Sequence, residues 1–410
     1  MRKILLFIAA LCATAGCSDR AIHDGKPGGA DWPLFRGDAS LSGYTDESLP
    51  KRPKLLWEFK TDVRTASSPV VLGGVAYWCD RRGMIRGVNI EGEQVFEYDL
   101  KTAVEATPMI YDSTLYVGRI DGIMSAVSLR RNDTIWNFET MGQISASPNL
   151  FKFNKRKAII IGSYDNLLYC IDARTGEELS RFRSGYYING AAAFWKGHVI
   201  YGGCDALVRM IDCKTGIQTD SLLLEAYIPA SPAIMGDYCY IGDYSGNIYK
   251  IMLEDGKFVR HKKIAEASKD GGGSFVSVPA VSIDAFYYIS DNRYLNSVSR
   301  KNGKVLWKYL LKGNAGESSP VICSDRVIVC TKTGTVSILE TFNGKLLWEY
   351  DAGEPVTASP AVIGKHFFIL TARGTLLCFG EQKKTREKDT GRGKTLSLSS
   401  GKHSAAGQNI

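Results

Sequence analysis

Histidine is scarce in this chain, and its cysteines fall in no useful spacing. Five histidines, at 23, 198, 261, 366 and 403, are scattered through 410 residues with no two at metal-ligand separation. Ten cysteines include no CxxC, no CxxCH and no adjacent pair, so zinc, covalent haem and a redox dithiol have no motif to rest on. GxSxG and HExxH are missing. GRGKT at 391–395 fails the phosphate-loop pattern because Lys388 stands where its first glycine belongs. Helical periodicity is absent throughout. Charge of one sign is also scarce in the body: of the net +8, residues 381–410 supply +4 and Arg2 with Lys3 supply +2, which leaves +2. That balance predicts no nucleic-acid partner, which would call for basic residues gathered on one face.

Residues 1–16 read as an export signal, with a basic start (MRK) and a 13-residue apolar run at 4–16. That run is too short to cross a bilayer, which takes about 20 residues. Cys17 follows Thr14-Ala15-Gly16, which resembles the bacterial lipoprotein signal; the alternative is ordinary cleavage after Ala13-Thr14-Ala15. The resemblance implies acyl chains on Cys17 and residues 17–31 as a flexible tether of about 20 Å. It places the body in the bacterial cell envelope, with Ser18 pointing to the outer membrane. Of the remaining cysteines, most sit inside apolar runs such as LLYCID and are expected as small buried hydrophobes. Residues 381–410 are expected to be a basic, disordered tail.

What the chain does have is a repeat. A marker proline recurs at 69, 108, 148, 232, 279, 320 and 360, with Ala192 in the one vacant slot, at spacings of 39 to 47 residues. Each unit supplies four short apolar runs separated by Gly, Asn and Asp turns, a β signature. The turn between the second and third runs reads Arg82-Gly83, Asp121-Gly122, Asp165-Asn166, Asp205-Ala206, Ser245-Gly246, Asn292-Arg293, Thr333-Gly334 and Arg373-Gly374. Its second slot suits a positive φ; three Asp in eight turns, without DxDxDG spacing, do not make a Ca²⁺ site.

Units that cannot bury their own faces must stack, so the fold expected is all-β: an eight-bladed β-propeller of four-stranded blades over 32–380. The last unit holds only three strands. LLWEFK at 55–60 resembles LLWEY at 346–350 and is expected to complete the last blade from the other end of the chain, closing the ring and hiding strand edges.

SVSRKNGKVLW (ending at Trp307), ILETFNGKLLW (Trp348) and AVSLRRNDTIW (Trp136) resemble the quinoprotein-type propeller repeat, and DWPLFRGDASLSGYT at 31–45 resembles the segment before the first blade in quinoprotein alcohol dehydrogenases. The aromatic slot holds Trp57, Phe96, Trp136, Trp307 and Trp348 in five units, expected to pack each blade on the next; Ser180, Asp220 and Arg260 hold it in blades three to five.

Two branches of the family give different expectations. Dehydrogenases of this type bind pyrroloquinoline quinone and Ca²⁺ in the funnel, within long insertions and often beside an adjacent-cysteine disulfide. No residue here matches their catalytic, cofactor or metal positions. The other branch, non-enzymatic envelope lipoproteins typified by the propeller component of the outer-membrane β-barrel assembly machinery, shares the compact blades and the cysteine at the signal boundary. The expectation is therefore a membrane-tethered, monomeric scaffold that binds envelope proteins and carries no cofactor. A quinone-dependent dehydrogenase, or a propeller that binds a glycan or peptide, are the alternatives. Blades three to five break the repeat rules, carry an insertion at 261–278, and bring Tyr186, Tyr187 and Tyr227 into their connecting loops, which makes this sector the expected partner surface.

Overall fold

The computed structural model describes residues 31–382, apart from 155, 266–276 and 291. The signal, Cys17, nearly all of the tether and most of the basic tail lie outside the described residues. Every regular element described is a strand, and the strands form eight sheets. In blade 1 the strands run from the channel outward as a (Val70–Leu72), b (Val75–Cys79), c (Met84–Asn89) and d (Gln94–Asp99). Blades 2 to 7 repeat this order over 109–139, 149–183, 193–223, 233–265, 280–310 and 321–351.

Blade 8 takes a, b and c from Ala361–Ile363, His366–Leu370 and Thr375–Gly380, and its d strand is Lys54–Lys60, antiparallel to c with Lys54 opposite Gly380. The closing strand expected from the sequence is present, one residue longer.

Strand burial explains the apolar runs. Strands b and c lie between neighbouring blades, so both of their faces are covered, as in Leu167–Asp172, buried along its whole length. The d strands alternate because one edge and parts of both faces meet water. All eight second positions of the b–c turns have positive φ, from Gly83 (94°) to Ala206 (64°) and Arg293 (67°). Five of the eight are glycine, which takes this geometry without strain.

The up-and-down order fixes two faces. The a–b and c–d turns lie on one, here the lower face, and the b–c turns and d–a connections lie on the upper face. Seven of the eight described cysteines are buried and all are free; Cys204, half-buried on the upper face, is the exception.

Candidate functional site

The central channel decides what the ring can hold. Residues 32–45 thread it at its lower end and visit the blades in order. The Trp32 and Val71 backbones pair in blade 1, and Ile110 N–H donates to Pro33 O in blade 2. Phe194, Ile234, Val281 and Ile322 N–H donate to the carbonyls of Ala39, Ser40, Ser42 and Gly43 in blades 4 to 7 at 2.7–2.9 Å. Each of these donors stands two residues past its repeat marker. Blade 3 reaches the thread through Asn149, whose side-chain amide donates to Ala39 O at 2.8 Å. Tyr44–Thr45 then adds a short parallel strand to blade 7.

Arg36 sits at the centre of this thread, fully buried, with its guanidinium donating to Pro320 O (2.7 Å) and Pro279 O (3.1 Å). Burial lowers its pKa to about 9, and the nearby Asp38 charge works the other way, so it stays protonated at neutral pH. Gly43 has no side chain because the Arg36 guanidinium lies where its Cβ would be.

Above the thread, Phe35 floors an upper vestibule of about 150 Å³. Its wall is a belt of hydroxyls in which the N–H of one blade donates to the hydroxyl of the next: Ser68 to Thr107, Thr107 to Ser147, Ser319 to Ser359, and Ser359 back to Ser68, at 2.9–3.2 Å. Ala191 donates to Ser231 and Val278 to Ser319 in the same way. Ala191 and Val278 themselves lack the hydroxyl, so the belt is open between blades 3 and 4 and between blades 5 and 6. The charged groups lining the vestibule are Glu105 and Glu317, and Glu105 pairs with Arg81 at 2.9 Å. Among the described residues no three His, Cys, Asp or Glu gather to hold a metal ion.

The aromatic slot joins neighbouring blades through a common contact. Trp57, Trp136 and Trp307 each donate from Nε1 to a carbonyl in the c–d turn of the next blade, at Ile90, Ala173 and Thr341 (2.8, 3.1 and 2.8 Å). Each indole also covers the glycine of that turn, Gly92, Gly176 or Gly344. Trp348 stands edge-on to Phe367 and Phe379 of blade 8, and Phe96 packs edge-on to Tyr77 within blade 1.

Where the slot is polar, other links replace the indole. Asp220 accepts from Phe258 N–H of blade 5 at 2.8 Å. Between blades 5 and 6 the direction reverses, and Arg300 of blade 6 donates to Met235 O (2.6 Å) and the Tyr240 hydroxyl (3.0 Å) of blade 5.

On the upper face, blades 3 to 5 bring Tyr186, Tyr187 and Tyr227 together with two tyrosines that sequence reasoning missed. Tyr187 stacks on Tyr164 (ring centroids 5.0 Å apart) and touches Tyr186 (4.5 Å), and Tyr227 stacks on Tyr244 (4.1 Å). Cys204 is bonded to the first group through its N–H to Tyr187 O. Tyr164, Cys204 and Tyr244 share one slot of the repeat at 40-residue spacing, which was the available signal.

The same backbone bond holds each loop to the b–c turn beside it: Tyr164 N–H to Gln143 O, Cys204 N–H to Tyr187 O, Tyr244 N–H to Tyr227 O, at 2.9–3.0 Å. Carboxylates pin the loops from below. Asp205 binds Arg209 and accepts from Gly185 N–H (2.9 Å), and Asp165 accepts from Met141 N–H (3.0 Å). Burial alone would raise the Asp205 pKa, but Arg209 and the backbone N–H donors bring it below the ordinary aspartate value.

The patch is open to water. Tyr186 is 50% exposed, Tyr187 40%, Tyr227 39%, Tyr244 42% and Met141 92%.

A ring of eight compact blades with a threaded channel matches one family model, described as outer membrane protein assembly factor BamB, over residues 122–293 and 291–388. The chain belongs to this BamB family. Curated BamB proteins similar to it include those of Legionella pneumophila (25% identical, 53% of this chain and 47% of that protein) and Moranella endobia (26%, 52% and 58%). The match thus spans about half the length of these relatives. Among solved structures, BamB from Moraxella catarrhalis superposes with a TM-score of 0.67 at 17% identity, over 81% of this chain and 98% of that one. Quinohemoprotein alcohol dehydrogenase from Comamonas testosteroni gives 0.70 at 14% identity, over 86% and 80%. Both structural likenesses show the fold. In sequence, the quinohemoprotein alcohol dehydrogenase of Comamonas testosteroni is 28% identical over a shorter stretch, 37% of this chain and 25% of that protein.

Proposed function

We propose that this protein is a non-catalytic scaffold of outer-membrane protein assembly, a monomeric ring tethered to the membrane through Cys17 that docks a partner protein on the tyrosine face of blades 3 to 5. The observation that carries the docking surface is the packed aromatic group itself. Five tyrosines lie on loops that are fixed by backbone bonds and the half-buried carboxylates Asp165 and Asp205, yet four of them stay between 39% and 50% exposed. Rigid, half-exposed tyrosines supply large contact area at small entropic cost, the character of interface anchors. The assembly role named for the curated BamB relatives supports the same role here.

The channel supports the cofactor-free reading. A vestibule of about 150 Å³ is well below the ~300–1,000 Å³ of ordinary ligand pockets. The test is a pull-down from envelope extract with Tyr186, Tyr187 and Tyr227 all replaced by Ser. Loss of the outer-membrane assembly proteins from the captured set is expected. Recovery equal to wild type refutes the docking surface.

A further inference from the structure

The lower face carries a cavity that the scaffold role leaves unused. It has a volume of about 570 Å³ and opens between the thread and the a–b hairpins of blades 3, 4 and 5. Phe194, Ile234 and Met235 give it an apolar floor, and Lys152, Lys196 and Lys214 stand exposed at its rim. Lys196 is paired with Asp237 at 2.6 Å. Lys152 and Lys214 have no ion pair among the described residues. The carboxylate of the lining, Asp38, is already engaged by Ser40 N–H (2.7 Å), Ser42 N–H and the Ser42 hydroxyl, and does not reach the rim lysines by any bond. Two uncompensated ammonium groups over apolar carbon suit a ligand with an anionic head and an apolar body.

Where the chain leaves the ring says what covers this face. Asp31 accepts from Gly73 N–H at the blade 1 a–b turn (2.9 Å), so residues 1–30 join the body on the lower face. The last strand ends at Gly380 opposite Lys54, and Lys365 pairs with Glu381 at 3.2 Å, so residues 383–410 join it there too. That segment holds Lys383, Lys384, Arg386, Lys388, Arg392, Lys394 and Lys402 against Glu387 and Asp389. The cavity, its free lysines and the points where residues 1–30 and 383–410 join the ring therefore share one side, while the tyrosines occupy the other.

We propose that the lower face lies against an anionic phospholipid surface and that the cavity seats a phospholipid headgroup, its phosphate between Lys152 and Lys214 and its glycerol carbons on Phe194, Ile234 and Met235. Neither acylation of Cys17 nor the tyrosine face is needed for this binding.

The test uses the chain from Ser18 onward, which keeps the whole closed ring and removes the acyl site. Co-sedimentation is measured with vesicles of 30% phosphatidylglycerol in phosphatidylcholine and with pure phosphatidylcholine. Binding to the first alone is expected. Lys152→Ala with Lys214→Ala should weaken it roughly thirtyfold, the effect of withdrawing two lysines from an anionic surface. Arg82→Ala with Arg373→Ala, on the upper face, should leave it unchanged.

Hydrogen exchange should slow around 152–154, 196–197 and 213–214 when anionic vesicles are added. Equal binding to both vesicles, equal loss in both double variants, or binding that disappears with residues 383–410 yet ignores the two lysines would each overturn the site.

Discussion

The seat that Trp136 finds in blade 3 can be tested by filling it. Gly176 has a φ of +75°, and a Cβ placed there would meet the Trp136 ring at 2.7 Å. Gly303 holds the same turn position in blade 6 with a φ of +73°, and nothing lies within 4 Å of its Cβ position. Gly303→Ala therefore carries the backbone strain alone, about 1–2 kcal/mol for an L-residue in the left-handed region. Gly176→Ala adds the displacement of a packed indole, about 1–3 kcal/mol more. Trp136→Ala alone should cost about 3–5 kcal/mol, since the ring is buried and its N–H is bonded to Ala173 O.

In the Trp136→Ala background the Gly176→Ala cost should fall to the Gly303→Ala value, which leaves a coupling of about 1–3 kcal/mol. Urea unfolding followed by circular dichroism, on the four members of the cycle and Gly303→Ala, measures every quantity. If Gly176→Ala costs as much without the indole as with it, the indole is not seated on that glycine and the account of blade joining fails.

Arg36→Met should remove the donor from Pro279 O and Pro320 O together, at about 1–3 kcal/mol for each carbonyl left unpaired. Amide exchange of Phe194, Ile234, Val281 and Ile322, all bonded to the thread, should then accelerate as a set, and unchanged exchange would show that Arg36 does not hold the thread in place. Asp205, whose pKa is depressed in the folded state, contributes stability that is present above the ordinary aspartate range, about pH 4, and is lost as pH falls through its lowered value. The melting temperature of wild type should exceed that of Asp205→Asn at pH 7, and the gap should close below about pH 4. A gap undiminished at pH 2 would contradict the assignment.

Most of the ring was legible because the repeat states it eight times. Marker proline, turn glycine and outer tryptophan recur at a nearly constant interval, and the blade lacking a strand pointed to its completion by residues 55–60. What stayed hidden was whatever occurs once. The sequence around Arg36 looks like a polar loop, because nothing local reveals that seven blades present N–H or amide donors to it. The serine or threonine before six of the seven marker prolines was visible as a repeated letter. Its role, accepting a hydrogen bond from the neighbouring blade, depends on ring closure and has no local signature.

Asp220 was visible as a break in the aromatic slot, but neither its bond to the next blade nor that of Arg300 was, since an ion or amide contact leaves no periodic trace. At the tyrosine face the connecting loops were found and the turns beside them were not. Tyr164 and Tyr244 lie in short segments whose turn chemistry masked their alignment.

The thread also sets an order of assembly. Residues 32 to 60 touch every blade, and their partners come from the whole length of the chain, with Arg36 bonded 284 residues away at Pro320 and Ala39 bonded 110 residues away to Asn149. Blades can form by local pairing as they emerge, each a short meander of low contact order. The thread cannot settle until blade 7 exists, and the closing strand has no edge to join before Thr375–Gly380 is made. The residues synthesised first are thus among the last to be placed. A chain halted anywhere short of its eighth blade has an open ring, an unfilled channel and an unpaired strand at each end, so completion of the polypeptide, rather than of any single blade, is the step that makes this molecule stable.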